Sequence, residues 1–335
     1  MSQRQGMTTA WLGALGLVLA GMTAGCGDGD PKNVTPPPIA GLSVAKAAPT
    51  GDNQTGQVQN ALLNALRVVV LDDGNPKEGA AVNWVGTGTN GSFNPAFGAT
   101  DADGIASTVW TLPEEAGAQT ASATVTGAAG SPVSFSGVGR PGAPAAIQLV
   151  SGNAQAGGVG TIADEQLKVK VVDQYGNGVS GVQVDWIITS GFPIIPSVST
   201  TGTNGEAEII MAYGNDARIP ITINAAVQGL GSVAFNAIAG ILVTVDNFTP
   251  PSTGGFTPSQ LSIGVGENVV WKWGPTAFSH NVVPDGVIPT RSGNPTDGPH
   301  TYVFQFSVAG NFPYYCEVHG AAGGVNMSGL VSVGP

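Results

Sequence analysis

The sequence predicts an all-β protein. Of its 335 residues 51 are glycine and only 10% are charged, and no long stretch shows the helical spacing of apolar residues. Short runs of alternating apolar and polar residues are instead separated by turns rich in glycine and asparagine. About three hundred residues remain after an N-terminal apolar segment, enough for two or three domains. We therefore expect a series of β-sandwiches.

Two segments of the chain repeat each other at a spacing of about one hundred residues. Residues 66–72 match residues 167–173, and both are followed by Gly-Asn, by Val-x-Trp and by a threonine ahead of Gly-x-Ala. The tryptophans of the two repeats, Trp84 and Trp186, lie in register. One hundred residues is the size of one immunoglobulin-like (Ig-like) sandwich, and a single tryptophan suits the space between its two sheets.

The repeats resemble bacterial Ig-like domains of the invasin and intimin type. The resemblance covers residues 42–239 and rests on the valine-rich strand, the Gly-Asn turn and the Val-x-Trp motif. It implies one sandwich at residues 42–139, a linker at 140–145 and a second sandwich at 146–239. Such domains often form a stalk that holds a terminal module away from the cell, which is the role that the resemblance implies.

The C-terminal part of the chain contains four residues of types that bind copper. His280 precedes Cys316, His319 follows the cysteine by three positions, and Met327 comes after them. A thiolate and a thioether favour Cu(I), whereas imidazole binds both oxidation states, so this set suits a mononuclear copper site that transfers single electrons. Taken singly, a cysteine is most often a small buried hydrophobe. The segments around these residues decide between the two interpretations.

Those segments have the pattern of strands. Residues 269–273 and 302–306 alternate between apolar and polar, and a third short strand at 312–315 leads to Cys316. The order G-x-F-x-Y-x-C-x-x-H, a methionine and G-x-V-x-V resembles the cupredoxin family, particularly plastocyanin-like and pseudoazurin-like proteins. The resemblance implies a Greek-key β-sandwich over residues 241–335.

The resemblance also implies a role for each residue. It makes His280, Cys316 and His319 the strong ligands of one copper ion and Met327 its weak axial ligand. Asn281, the residue after the first histidine, would tie the two ligand loops together by hydrogen bonding. Copper is therefore the expected cofactor.

One spacing departs from the family. Seven residues separate His319 from Met327, whereas the short-loop members have about four. If the insertion at 320–326 carries Met327 away, a backbone carbonyl or a water would take the axial position. The insertion is rich in glycine and alanine, so it forms either a flat uncharged patch for a redox partner or a flexible loop.

The number of histidines argues against an enzyme. The chain has three in total, and His300, which follows Gly-Pro in a turn, is expected to be exposed and not a ligand. Multicopper oxidases and copper nitrite reductases share the cupredoxin fold but need further histidine-rich centres. A thiolate-bridged copper pair would need a second cysteine near Cys316, and none is there. We therefore expect no enzymatic activity.

The N-terminus has the features of an export signal. Residues 1–25 contain Arg4 and an apolar run at 10–24 that is too short to span a bilayer. The small residues before Cys26 resemble a bacterial lipobox, which implies cleavage there and lipidation of the new N-terminal cysteine; plain secretion is the alternative. Residues 26–41 are a polar, proline-rich tether. We expect an exported lipoprotein anchored to a membrane.

Charge and domain order give the functional hypotheses. The formal net charge of −11 disfavours nucleic acid and suits either a basic redox partner or simple solubility. The leading hypothesis is a membrane-tethered electron carrier whose Ig-like stalk bears a copper head and whose redox partner no motif identifies. One alternative is an adhesion or scaffold lipoprotein in which copper only stabilises the last domain, and another is a copper-sequestering protein.

Overall fold

The computed structural model describes residues 41–248 and 255–335. The expected signal peptide, the lipidation site Cys26 and the tether as far as residue 40 lie outside the described residues. In the described part the chain forms twenty-five β-strands and no α-helix, so the all-β prediction is confirmed. That part accordingly contains no helix with the length and apolar character needed to cross a membrane.

The first sandwich pairs two five-stranded sheets around one core. Its strands are β1 (Leu42–Lys46), β2 (Gln54–Gln57), β3 (Leu66–Asp72), β4 (Asn75–Pro76), β5 (Ala81–Gly86), β6 (Ser92–Asn94), β7 (Phe97–Ala99), β8 (Ile105–Thr111), β9 (Gly117–Thr124) and β10 (Val133–Arg140). One sheet has the order β1-β3-β8-β6 with β4 beside β3, and the other has the order β2-β10-β9-β5-β7. Alternation sets the buried face: Leu66, Val68 and Val70 of β3 are fully buried.

The second sandwich repeats this plan. Its strands are β11 (Ala146–Ser151), β12 (Gln155–Gly158), β13 (Leu167–Val172), β14 (Gln183–Ser190), β15 (Val198–Thr200), β16 (Glu206–Ile209), β17 (Ile221–Val227) and β18 (Gly231–Val245). The sheet β11-β13-β16 faces the sheet β15-β14-β17-β18, where β12 also joins β18. Leu167, Val169 and Val171 of β13 fill the core as the matching residues do in the first sandwich.

The tryptophans of the two repeats differ in one hydrogen bond. Trp186 donates from Nε1 to Ser199 Oγ at 2.9 Å, whereas Nε1 of Trp84 is buried and has no partner. Ser199 pairs with Val184 on β14, and its counterpart beside Val82 on β5 is Gly98. The missing hydroxyl at residue 98 therefore explains the unpaired indole.

Gly98→Ser should stabilise the first sandwich by about 1–2 kcal/mol, because it supplies an acceptor to a buried N–H and removes a glycine from a strand. A Cβ at residue 98 has room, since its nearest neighbour would be Pro95 Cγ at 3.6 Å. Native-state hydrogen exchange of first-sandwich amides measures the gain. Gly98→Ala is the matched control, because it contributes only the backbone part. Equal protection in the two variants would contradict the assignment.

The third sandwich shares a strand with the second. Its remaining strands are β19 (Phe256–Thr257), β20 (Gln260–Gly264), β21 (Asn268–Trp273), β22 (Val283–Pro284), β23 (His300–Gln305), β24 (Gly310–Ala321) and β25 (Val325–Gly334). The C-terminal part of β18 continues the order β18-β21-β23, with β19 also on β18, and this sheet faces β20-β25-β24-β22. The two halves of β18 thus belong to two different cores.

The expected boundary between the second sandwich, which ends at residue 239, and the third, which begins at residue 241, lies in the middle of that strand. Gly240 lies where two backbones approach closely, since a Cβ there would be 2.7 Å from Val270 Cγ2 and 2.9 Å from Asn268 O. Asn268 is buried, and both its backbone N–H and its Nδ2 donate to the carbonyl of Ala217, at 2.9 and 2.6 Å. Lys272 pairs with Asp164 across the same boundary. Glycine here serves close packing and not a hinge.

Candidate metal centre

His280 lies in a loop that is fixed at several points after β21. Its backbone exchanges two hydrogen bonds with Thr296, at 3.0 and 2.9 Å, and its carbonyl accepts a bond from Trp273 Nε1 at 3.2 Å. The preceding residue, Ser279, has a left-handed φ of 59°, and its N–H donates to Asp297 Oδ1 at 2.9 Å. These hydrogen bonds fix the backbone of residues 279 and 280 and therefore the position of the imidazole.

Cys316 and His319 are both on β24. A regular strand would direct residues three positions apart to opposite faces. Pairing with β25 is interrupted between Tyr315, which lies opposite Ser328, and Gly320, which lies opposite Asn326. Four residues thus oppose one, and this irregularity lets the two side chains turn towards the same pocket.

The three donor side chains converge. Cys316 Sγ is 3.8 Å from His280 Nδ1 and 3.6 Å from His319 Nδ1, and the ring centroids of the two histidines are 4.5 Å apart. One donor atom from each residue lies within 4.8 Å of the others. His280 and Cys316 are fully buried, while His319 is half-buried. Within residues 41–248 and 255–335 this is the one group of three or more such side chains with metal-ligand spacing.

Met327 is the residue that faces the interrupted segment. It is 2% exposed and lies on β25 between Asn326 and Ser328, directly across from residues 316–319. A Cβ at Gly255 would lie only 3.1 Å from its Cγ, so the glycine leaves space for this side chain. The carbonyl of Ser279 approaches the site from the other loop, 4.0 Å from Cys316 Sγ.

Asn281 links the two segments that carry His280 and Cys316. Its Oδ1 accepts the backbone N–H of Glu317 at 3.1 Å, and its Nδ2 donates to Glu317 Oε1 at 2.9 Å and to Gly293 O at 3.1 Å. Arg291 forms an ion pair with the same carboxylate. Asn281 is fully buried, so these bonds hold residues 280 and 316 in register from within the protein.

The insertion after His319 is a β-hairpin and not an open loop. Gly320 pairs with Asn326 and Ala321 with Val325, and Gly323 and Gly324 make the turn with φ of 83° and 80°. The N–H of Gly323 donates to Asp285 Oδ2 at 2.7 Å, which fastens the tip to the loop after β22. The hairpin keeps β25 in register and so keeps Met327 beside the site.

The positions of His300 and Asn247 were not predicted from the sequence. His300 was expected to be exposed, but it is half-buried because β23 places it opposite Trp273, against which its ring packs edge-on at 4.9 Å. It is not part of the group formed by His280, Cys316 and His319. Asn247 was missed altogether: its Oδ1 is 3.4 Å from His280 Nε2, and no motif connects residues 33 positions apart.

Comparison with known proteins gives similarities of fold. No protein-family model and no curated protein sequence matches this chain. Among solved structures, the purple cupredoxin of Nitrosopumilus maritimus is 24% identical over 28% of this chain and 98% of its own, with a TM-score of 0.24. Pseudoazurin from Hyphomicrobium denitrificans is 27% identical over 28% and 73%, with a TM-score of 0.22.

The adhesin FdeC of Escherichia coli is similar over a longer stretch. It is 16% identical over 88% of this chain and 96% of its own, with a TM-score of 0.38. Solved structures similar to this chain thus include cupredoxins and invasin-type adhesins, the two families that the sequence motifs resemble.

The electrostatics of the pocket keep the imidazole of His280 neutral. Burial, with a contribution from nearby His319, lowers the pKa of His280 to about 4, although Asp246 and Asp297 act in the opposite direction. A neutral imidazole has a free lone pair for a metal. At neutral pH the imidazole of His280 is therefore in the form that can bind a metal.

In the metal-free protein, the His280 ring should take up its proton near pH 4, whereas the unfolded chain does so at about 6.5. Between these values the unfolded state binds more protons, so the free energy of unfolding should fall as the pH drops through that range. A pH titration of the histidine C–H resonances measures the midpoint, with His280→Gln to assign the signal. A midpoint near 6.5 would show that the ring is not desolvated.

Proposed function

We propose that this protein is a mononuclear copper electron-transfer protein whose metal is held by Cys316, His280 and His319, with Met327 as the weak axial ligand. The observation that carries the proposal is the convergence of one sulfur and two imidazole nitrogens within 4.8 Å in a buried pocket. Two imidazoles, a thiolate and a thioether match a site that accepts both valences of copper. Copper bound there would supply reversible one-electron exchange between Cu(I) and Cu(II).

The residues around the donors support electron transfer over simple storage. His280 is held through Thr296 and Trp273, and Asn281 fastens its loop to that of Cys316. Donors fixed in this way move little when the charge at the site changes. A small rearrangement favours fast transfer, whereas a storage site has no need of it.

His319 offers the shortest route from the site to solvent, because it alone of the three strong donors is only half-buried. Apolar side chains are exposed in the adjacent segments: Phe278 is 67% exposed, Val318 50% and Val325 48%. Such a surface permits close contact with a partner.

Carboxylate side chains lie around the same site. Asp246 and Asp297 act on the His280 ring, and Asp285 holds the hairpin tip. We expect the redox partner to present an apolar face bordered by basic residues, since complementary charge steers encounter.

The function is proposed to be non-enzymatic and extracytoplasmic. The three histidines of the chain leave none for a second copper centre once two are ligands and His300 packs on Trp273. Export and anchoring through lipidated Cys26 remain the proposal made from the sequence. The two Ig-like sandwiches would then set the distance between the membrane and the copper head.

Purified protein given one equivalent of Cu(II) should turn blue, with an intense absorption at about 600 nm that ascorbate bleaches reversibly. Cys316→Ser should abolish the colour, because the thiolate is its source, and His300→Ala should retain it. Optical and electron paramagnetic resonance spectra provide the measurement. Colourless, tetragonal copper in the unaltered protein would instead favour the scaffold or sequestration hypothesis.

Met327→Leu should keep the blue colour and raise the reduction potential, since losing a weak donor to Cu(II) favours the reduced state. Voltammetry of the copper-loaded protein measures the shift. Met211→Leu is the matched control, because Met211 is equally buried but lies in the second core. If both variants keep the original potential, the thioether is not axial and the carbonyl of Ser279 becomes the better candidate.

A further inference from the structure

Asn247 lies just beyond the end of β18, outside every motif that the sequence presents. Its side-chain amide makes two well-formed hydrogen bonds with the loop that precedes His280. Oδ1 accepts the backbone N–H of Phe278 at 2.9 Å, and Nδ2 donates to the carbonyl of Thr276 at 2.8 Å. Exchanging the oxygen and nitrogen would set donor against donor and acceptor against acceptor. The orientation of this amide is therefore determined by its partners.

The fixed oxygen of this amide faces the outer edge of the His280 ring. Asn247 Oδ1 lies 3.4 Å from His280 Nε2, while Nδ1 of the same ring faces Cys316 Sγ at 3.8 Å. An amide oxygen only accepts hydrogen bonds. In the neutral ring the proton must then be on Nε2, which leaves the Nδ1 lone pair directed at the sulfur.

We propose that Asn247 is a positioning residue that selects the Nε2–H tautomer of His280 and so directs Nδ1 into the metal pocket. The inference rests on the proposed metal site, but the tautomer exists without a metal. A ring with its proton on Nδ1 would present an N–H to the pocket and could not bind. By accepting a hydrogen bond from Nε2–H, Asn247 Oδ1 disfavours the Nδ1–H tautomer already in the metal-free protein.

No other side chain of the described residues forms a hydrogen bond with this ring nitrogen. The nearby carboxylate of Asp297 accepts the N–H of Ser279 instead, and the hydrogen bonds between Thr296 and His280 join backbone atoms. Asn247 also joins the end of β18 to the ligand loop. The strand shared by two sandwiches is thereby connected to the first ligand of the site.

The test compares Asn247→Ala, which removes the acceptor, with Asn247→Asp, which keeps an oxygen there. Long-range ¹H–¹⁵N correlation spectra of the metal-free proteins report which His280 nitrogen carries the proton. We expect Nε2–H in the unaltered protein and in Asn247→Asp, and a shift of both nitrogen signals towards a tautomer mixture in Asn247→Ala. Asn311→Ala, at an exposed position on β24, is the control and should leave the spectrum unchanged.

Metal affinity gives a second readout. Titration with Co(II), which does not oxidise the thiol, should show about 10- to 100-fold weaker binding for Asn247→Ala and recovery in Asn247→Asp. In the copper-loaded protein the aspartate should lower the reduction potential, because an anionic acceptor makes the imidazole a stronger donor to Cu(II).

Two results would overturn the assignment of Asn247. One is Nδ1–H on His280 in the unaltered protein, and the other is an Nε2–H tautomer that persists in Asn247→Ala. A loop that merely loses order would weaken binding in both variants, without recovery by aspartate. Failure of the unaltered protein to bind metal, with the tautomer as expected, would instead count against the proposed function alone.

Discussion

The interruption of pairing between β24 and β25 is the constraint on which the proposed metal centre depends. Without it, Cys316 and His319 would point to opposite sides of a strand. Because residues 316–319 oppose the single residue Met327, both donors turn inward while the pairing resumes at Gly320. A local irregularity in the sheet thus brings both side chains into one pocket, and the hairpin beyond it restores the register.

The rest of the third sandwich keeps this arrangement in place. Trp271, Trp273 and Tyr314 are fully buried beneath the site, and the indole of Trp273 donates to the carbonyl of His280. Large aromatic side chains resist rearrangement because a packed core has no space to receive them. Through β18 the same rigidity extends into the second sandwich, where Asn268 adds two hydrogen bonds across the boundary. The position of the proposed copper head relative to that sandwich follows from continuous backbone and not from a linker.

Much of this architecture could be predicted from the sequence, because it arises from local periodicity. Alternation within residues 66–72 and 269–273 indicates strands, and the resemblance of the motif around Cys316 and His319 to cupredoxins implies that these two residues share a metal site. What could not be predicted depends on partners distant in sequence. Gly240 lies at the predicted boundary between two sandwiches, and only its close approach to Val270 shows that the strand packs tightly there. His300 was predicted to be exposed, because the sequence does not show that β23 aligns it with Trp273. The insertion at 320–326 left two possibilities open, and only pairing across Gly320 and Asn326 shows it to be a hairpin. Asn247 belongs to no pattern, since its role arises from two hydrogen bonds to a loop about thirty residues away.

The central claim is that one sulfur and two imidazole nitrogens of this chain bind a single copper ion. X-ray absorption at the copper edge of the metal-loaded protein tests it most directly, because this method reports the atoms around the metal and their distances. The account predicts one short copper–sulfur bond, two imidazole nitrogens and a longer, weaker contact consistent with Met327. A first shell made only of nitrogen and oxygen, unchanged when Cys316 is replaced by serine, would contradict it.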